Sequence, residues 1–573
     1  MISELKKIFS FLDFRSRIVF FTIIIITFLV GVAEFLGIAT ALPILQSIFD
    51  NSIIKLGIFG FDVNFLILDN KNYYLVFLIL FFFFRNLLAI INGYLLQLFL
   101  HKNYLFISSE LLNNRINVNY EKFIKIHSSI FIRNIRELSI AYRIYLLSYI
   151  NIFSEIILIF FLSILLLLVD LKLTLYGFLV ILIFSLFFIN FLKKKSFFWG
   201  KGRTNTSAEI NKILNDIYNS FREIKIYNNF NFFFNNFKSK NIKFSNSQKK
   251  FDFFSSIIRN IFEIFLLLLI SFSFILFVDV QKELNSNLPK LIIFFLVIFR
   301  TYPSFGRISS LRLSLKNNQY AVNEIYNIIN KNKNKNINSS KKFQFQKKIE
   351  IKNLFFKYEN KKDFALKNIN FIVKKNQIIG ITGKNGSGKT TLCNILLTLL
   401  SPVSGKIIVD NKFDIFKNVG SYRRLISFIP QNIYLINDTI ERNITLCLET
   451  ENIDYKKLRY YLNVLNITHL IKKNNNILKN INIGENGNYL SGGEKQRIAI
   501  ARALYQDAEI IIMDEHTSSL DLKSEREIMK DLVKLKSTKT FFIISHRKEV
   551  FKFCDRVLTL EDGKVVNTKL NNL

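Results

Sequence analysis

The chain has 573 residues, half of them hydrophobic, a net charge of +35 and a positive mean hydropathy of +0.25. That length exceeds one ordinary domain, and that hydropathy argues against a wholly soluble protein. The basic surplus does not point to nucleic acid: Lys, Asn, Ile and Phe are abundant together, as an A/T-rich genome produces, and cytoplasmic loops facing anionic lipid also gather Lys and Arg. The three cysteines, Cys393, Cys447 and Cys554, lie in the C-terminal third, with no spacing that suggests a metal site or a disulfide framework. No cleavable signal is evident, because the first long apolar run starts near Ile18 and continues too far for a signal's apolar core.

Six apolar segments follow in order, at 18–45, 73–100, 139–169, 171–192, 256–278 and 288–311. Each can cross about 30 Å of hydrocarbon as a helix. The connection 101–138 carries Lys102, Arg115, Lys122, Lys125, Arg133 and Arg136. The connection 193–255 carries Lys193, Lys194, Lys195, Lys201, Arg203, Lys212, Arg222 and Lys225. By contrast, 46–72 holds only Lys55 and Lys71 against Asp50, Asp62 and Asp69. The positive-inside rule therefore puts both long basic loops and both chain ends in the cytoplasm. These loops are expected to extend the membrane helices and to turn through short transverse helices near 126–130 and 218–226.

Charges within membrane segments are costly and mark candidate functional sites. Arg85 falls in the second segment, Arg259 enters the fifth, and Arg300 and Arg307 share a face of the sixth. Glu34, Glu155 and Glu263 lie in the first, third and fifth. Internal Arg–Glu pairing or end snorkelling competes with a ligand role. Both readings stand for Arg259 and Arg307, while Arg85 and Arg300 favour an anion-binding cavity.

Residues 331–345 read as a polar linker, and from 346 onward strand-like and helix-like runs alternate. Within them, Gly383-Lys384-Asn385-Gly386-Ser387-Gly388-Lys389-Thr390 fits the loop that cradles nucleotide phosphates, between a short apolar strand and a helix. Its glycines let N–H groups turn onto an anion at a helix N-terminus. Lys389 would reach the β- and γ-phosphates, and Thr390 would ligate Mg²⁺. The strand 510–515 ends in Asp514, suited to Mg²⁺, and Glu515, suited to act as a general base. Ser491-Gly492-Gly493-Glu494 opens a helix. Gln431 and His546 each follow an apolar strand.

This ordered set resembles the ATP-binding cassette transporters, and the resemblance covers the whole chain. It implies a six-helix α-helical transmembrane exporter domain over 1–330, followed by an α/β P-loop ATP-binding cassette over 346–573. It implies that Tyr358, in preference to Phe356, stacks on adenine. Gly383 to Thr391 form the phosphate loop, with Thr391 its second threonine. Gln431 senses Mg²⁺ and the γ-phosphate and couples to the membrane part. Ser491-Gly492-Gly493 contact ATP held by the opposite cassette, and Ser518-Ser519-Leu520-Asp521 form a dimer-contact loop. Asp514, Glu515 and His546 are the metal-binding, catalytic and switch residues. Two departures stand out: Glu494 where Gln is usual, and Asn482 where Glu is usual in the loop before the signature.

One phosphate loop and one signature per chain imply a dimer, with a homodimer permitted by the intact motifs and a partner half-transporter left open. Among exporters the chain is most similar to lipid-linked-oligosaccharide flippases. The matching stretches are Phe84-Arg85-Asn86-Leu87-Leu88, Asn119-Tyr120-Glu121-Lys122-Phe123, Arg300-Thr301-Tyr302-Pro303-Ser304 with Arg307, and 429–435. This resemblance implies ATP and Mg²⁺ as cofactors and an inner-membrane location. It implies a polyprenyl-pyrophosphate oligosaccharide as substrate, engaged by Arg85, Arg259, Arg300 and Arg307. It also implies a short external surface helix within 46–72. The alternative substrate reading is lipid A, or a general lipid or drug exporter.

Overall fold

A computed structural model of the chain describes residues 10–40, 57–58, 61–62, 71–169, 171–278, 284–330, 344–359, 361–446, 452–470, 482–515 and 522–570. They form two compact units, one of residues 1–118 and 122–334 and one of residues 119–121 and 335–573.

The first unit is helical. Among the described residues its long helices are α1 (Phe14–Ala39), α2 (Lys71–Ile116), α4 (Ser128–Val169), α5 (Leu171–Asn219), α7 (Phe230–Val278) and α8 (Leu284–Asn330). Short helices α3 (Tyr120–Ile124) and α6 (Phe221–Ile226) lie between them. Asp13 caps α1, its carboxylate accepting the Ser16 N–H at 3.0 Å. Among the described residues, α1 and the stretches Leu78–Ile116 and Ser128–Leu167 are long and apolar enough to cross a membrane. Their outer faces carry exposed Phe21, Ile25, Phe28, Ile79, Phe83 and Ile90, apolar surface that water would not favour but lipid would. Inner faces meet in a core of Phe20, Ile23, Leu100, Ile107, Tyr142, Tyr145, Val322 and Ile325, drawn from α1, α2, α4 and α8.

One sequence expectation changes here. The first short helix lies at Tyr120–Ile124 rather than at 126–130. The chain turns at 125–127, and the His127 carbonyl then accepts the N–H groups of Ile130 and Phe131 at 3.0 and 3.1 Å, which starts α4. The second, α6, falls within the expected 218–226. In the 46–72 connection β1 (Gly57–Ile58) pairs antiparallel with β2 (Phe61–Asp62) and α2 begins at Lys71; the rest of the stretch, where a surface helix was expected, lies outside the described residues. The linker at 331–343 lies outside the described residues.

The second unit is α/β. Its strands are β3 (Lys348–Phe356), β4 (Leu366–Lys374), β5 (Ile378–Gly383), β6 (Ser404–Val409), β7 (Phe413–Asp414), β8 (Ile426–Ile429), β9 (Ile510–Asp514), β10 (Thr540–Ile544), β11 (Arg556–Glu561) and β12 (Lys564–Leu570). Its helices are α9 (Lys389–Leu396), α10 (Val419–Arg423), α11 (Ile440–Thr445), α12 (Tyr455–Val464), α13 (Gly492–Tyr505), α14 (Leu522–Lys534) and α15 (Lys548–Phe551). A six-stranded sheet runs β12-β11-β5-β10-β9-β8, and a four-stranded sheet runs β4-β3-β6-β7. In the larger sheet all neighbours are parallel except β11 and β12.

The period-two alternation of a strand explains why β9 and β10 are apolar throughout. Ile510, Ile512, Phe542 and Ile544 face a core that includes Leu392 and Ile395 of α9 and the smaller sheet. Ile511, Met513, Phe541 and Ile543 face the opposite core, with Ile498, Ala501 and Leu504 of α13 and Ile528 and Leu532 of α14. Both faces are buried, so both sets must be apolar, and the polar residues are left to the strand ends. Cys393 and Cys554 are buried free thiols, and Cys447 lies outside the described residues.

Candidate active site

The strand ends collect the chemistry. Parallel register sets Ile544 beside Ile381 and Asp514 beside Ile544. The loop after β5, the acids after β9 and the segment after β10 therefore share the C-terminal edge of one sheet, where open α/β sheets bind ligands.

The loop 384–388 runs from β5 into α9. Gly386 and Gly388 hold φ of +83° and +102°, values that L side chains resist. Lys384, Asn385 and Thr390 are exposed. Lys389 is buried and folds back, donating to the Gly383 carbonyl at 2.8 Å and the Lys384 carbonyl at 3.0 Å. Burial lowers the pKa of its ammonium, against the pull of Glu515 and Asp514. The Ser387 hydroxyl is buried with no hydrogen-bond partner. A buried, unpaired hydroxyl inside a glycine-shaped cradle is the feature a phosphate oxygen would satisfy, so these residues fit a nucleotide triphosphate.

Tyr358 sits 3.0 Å, hydroxyl to hydroxyl, from Thr391. Its ring meets Phe356 edge-on, with centroids 4.9 Å apart. Phe356 is buried in the core and has no face free for a base, which leaves Tyr358 as the aromatic candidate.

Glu515 lies between two of the expected partners. Gln431 Nε2 donates to its Oε2 at 2.6 Å, and His546 Nε2 lies 3.0 Å from its Oε1. Its backbone adopts φ +42° while its N–H donates to the Ile544 carbonyl at 2.9 Å. A non-glycine residue in that region costs about 1–3 kcal/mol, and such strain gathers at functional sites. Next to it, burial and the Glu515 charge push the Asp514 carboxyl upward, with Lys389 opposing. A divalent cation would relieve that mutual repulsion. Mg²⁺ keeps waters and phosphate oxygens as ligands, so Thr390, Gln431 and Asp514 would complete rather than enclose it.

The signature residues stand apart from this group. Ser491 is the N-cap of α13, and Gly492 and Gly493 are its first residues. The Glu494 N–H donates to Ser491 Oγ at 3.3 Å. The Ser491 N–H and hydroxyl donate to Glu494 Oε2 at 2.7 and 2.8 Å. Thus Glu494 completes a capping box. Its other oxygen lies 3.0 Å from His469 Nε2, a partner that sequence reading missed. Among the described residues, no hydrogen bond or ion pair joins Ser491 to the phosphate loop or Glu515. Asp521 and the loop before it lie outside the described residues.

In the helical unit, Arg85, Arg300 and Arg307 of the four candidate arginines are paired. Glu34, 2% exposed, accepts from Arg300 Nε and from Arg85 Nη2, the latter at 3.5 Å. Arg307 donates to both oxygens of Glu155 at 2.5 and 2.9 Å. Internal pairing therefore holds at all three, including Arg85 and Arg300, where the sequence favoured an open anion cavity. Two guanidinium groups share Glu34, and Arg85 Nε is buried without a partner. Arg259 lies on α7, and its side chain is outside the described residues.

Comparison with known proteins follows the same lines. Residues 366–518 match the ABC transporter family. The ATP-dependent lipid A-core flippase of Ralstonia nicotianae is 37% identical over 221 residues, which cover 38% of this chain and 37% of that protein. The Escherichia coli protein of the same name is 34% identical over 224 residues, covering 39% and 38%. The matched region thus spans little more than a third of these relatives. A bacterial Atm1-family ABC exporter with ATP bound superposes with a TM-score of 0.81 over 97% of this chain and 95% of its own, at 16% identity. Residues 366–518 are an ABC transporter ATP-binding domain, borne by a chain with the fold of an ABC exporter.

Proposed function

We propose that two copies of this chain form an ATP-hydrolysing exporter that moves a phosphate-bearing lipid across the cytoplasmic membrane. A helical portion over 1–330 would form the path and the cassette over 346–573 would supply energy, with both ends in the cytosol. The observation that carries the reading is Glu515, gripped by Gln431 and His546 at the sheet edge that also bears the phosphate loop.

The residues divide the work. Lys389 would exchange the Gly383 and Lys384 carbonyls for β- and γ-phosphate oxygens, and Ser387 would gain the acceptor it lacks. Tyr358 would stack on adenine. As His546 turns to the γ-phosphate, Glu515 Oε1 becomes free to orient a water and take its proton. The water oxygen bonds to phosphorus as the bond to the bridging oxygen breaks and ADP leaves. Bound Mg²⁺ would supply charge neutralisation of the transferring phosphoryl group. Ser491, Gly492 and Gly493 would close on the second copy's nucleotide, with Asp521 at the dimer contact.

For the lipid, the names of the relatives favour lipid A over the polyprenyl-pyrophosphate oligosaccharide that the sequence suggested. Both lipids carry phosphate, so Arg85, Arg300, Arg307 and Arg259 serve either reading, through the planar donor fork of the guanidinium. The test is ATP-driven flipping in proteoliposomes, offering lipid A and the oligosaccharide lipid in parallel, with Glu515→Gln as the inactive control. Movement of lipid A alone supports the preferred substrate. Movement of the oligosaccharide lipid alone reverses the order, and movement of neither removes the lipid reading.

A further inference from the structure

A buried acid outside the reacting group bears on the same site. Glu525, in the first turn of α14, is 1% exposed. Its Oε2 accepts from Arg547 Nη1 at 3.0 Å, while its Oε1 is buried with no hydrogen-bond partner. A buried carboxylate paired through one oxygen and unsatisfied at the other is costly to keep, and replacing such pairs with apolar residues is often neutral or stabilising. Stability alone is therefore a weak reason for it to be there.

Its partner supplies a better one. Arg547 directly follows His546, and its N–H donates to Ser545 Oγ at 3.1 Å. The Ser545 N–H in turn donates to the Ile381 carbonyl at 3.2 Å. A second, exposed pair, Arg526 to Glu549 at 2.9 Å, ties the next residues of α14 and α15 together. The His546 side chain is 42% exposed, so packing does not fix its ring. Beside its 3.0 Å contact with Glu515, the ring is placed by the backbone of 545–547, which the Glu525–Arg547 pair ties to α14.

We propose that Glu525 is a positioning residue: acting through Arg547, it holds His546 in register with Glu515. The catalytic consequence rests on the ATPase reading above, but the positional one does not. A carboxylate that sets a neighbouring loop by one ion pair is high-leverage, because a misplacement of about 1 Å at a reacting group can cost on the order of a hundredfold in rate.

The experiment uses the full-length protein and two readouts. The first is the rate at which diethyl pyrocarbonate modifies His546, followed peptide by peptide by mass spectrometry, with His469 as internal reference. Glu525→Gln, nearly isosteric, and Glu525→Ala should each raise His546 modification about threefold or more as the ring leaves Glu515, with His469 unchanged. The second is ATPase kinetics. Glu525→Gln should lower kcat about tenfold or more with KM for ATP within about twofold. That loss should shrink to under about twofold in a His546→Ala background, because the shared route is already broken. Unchanged His546 reactivity in both variants overturns the proposal. So does an equal loss of kcat with and without His546, which would mark a structural role. If the wild-type protein hydrolyses no ATP, the ATPase reading fails, while the modification rates still decide whether Glu525 positions His546.

Discussion

Gly386 and Gly388 lie two residues apart in one loop, and the structure predicts different fates for them. Each has positive φ, so alanine at either costs about 1–2 kcal/mol in backbone strain. At Gly386 nothing lies within 4 Å of a new Cβ, and strain is the whole cost. At Gly388 the Cβ would stand 2.8 Å from the Ala365 carbonyl oxygen and 2.7 Å from Leu366 Cδ2. Leucine can turn away, but the carbonyl belongs to the entry of β4 and cannot move without it. Overpacking of that kind adds about 1–3 kcal/mol, so Gly388→Ala should exceed Gly386→Ala by at least about 1 kcal/mol. For a unit of this size that is about 2–4 °C in Tm. Thermal unfolding without nucleotide reads the difference directly, and binding of a fluorescent ATP analogue reads the consequence. Gly388→Ala should bind at least about tenfold more weakly than Gly386→Ala once the loop N–H groups are displaced. Equal Tm losses, or a larger one at Gly386, would refute the reasoning.

Three further outcomes follow from the same geometry. Glu515→Gln should keep ATP binding and lose turnover by about a hundredfold or more in single-turnover assays; near-normal hydrolysis would remove its assigned role. Arg300→Ala leaves Glu34 buried with only the 3.5 Å Arg85 contact, and stranding one partner of a buried pair costs about 3–5 kcal/mol. The informative variant is thus Glu34→Gln with Arg300→Ala, which should express better than Arg300→Ala and still flip phosphate-bearing lipid more slowly than wild type. Glu494 is held below its usual carboxylate range by His469 and Ser491, against desolvation. A lowered carboxyl stabilises the fold above its unfolded pKa, and that stability is lost as pH falls through its folded value. Glu494→Gln should therefore unfold earlier than wild type at neutral pH, with the gap closing at acid pH; a gap that widens in acid would contradict the sign.

Much of this was legible in the sequence because the strongest constraints are local. Apolar runs longer than 20 residues have few structural options. The phosphate loop needs its glycines where the backbone turns, and 510–514 and 540–544 had to be apolar because both faces of their strands are covered. What the sequence did not give was pairing at a distance. Arg300 reaches Glu34 across 266 positions and Arg307 reaches Glu155 across 152, separations at which helical periodicity says nothing about partners. The first transverse helix lies at Tyr120–Ile124, a few residues before the expected 126–130, where the chain instead turns into α4. His469 and Glu525 were missed because neither belongs to a motif. The only signal for Glu525 was an acid close after the expected dimer-contact loop, and the only one for its partner was Arg547 adjoining a singled-out histidine.

The two departures from the family pattern illustrate how a changed residue can be absorbed. Glu494 offers the Ser491 N–H and hydroxyl a charged acceptor, which makes the cap firmer than a neutral amide would. A bare carboxylate there would repel an approaching phosphate, but His469 lies against its outer oxygen and can offset that charge when protonated. Asn482 keeps its side chain in use by accepting the Gly484 N–H at 2.9 Å, and it bridges to Thr439, the N-cap of α11, in an isolated β-pair. The loop before the signature is therefore tied to the segment that follows Gln431 by backbone pairing, which does not depend on a glutamate. The contact between 482–483 and 438–439 is main chain, and main-chain contacts tolerate a change of side chain as long as the local fold is kept.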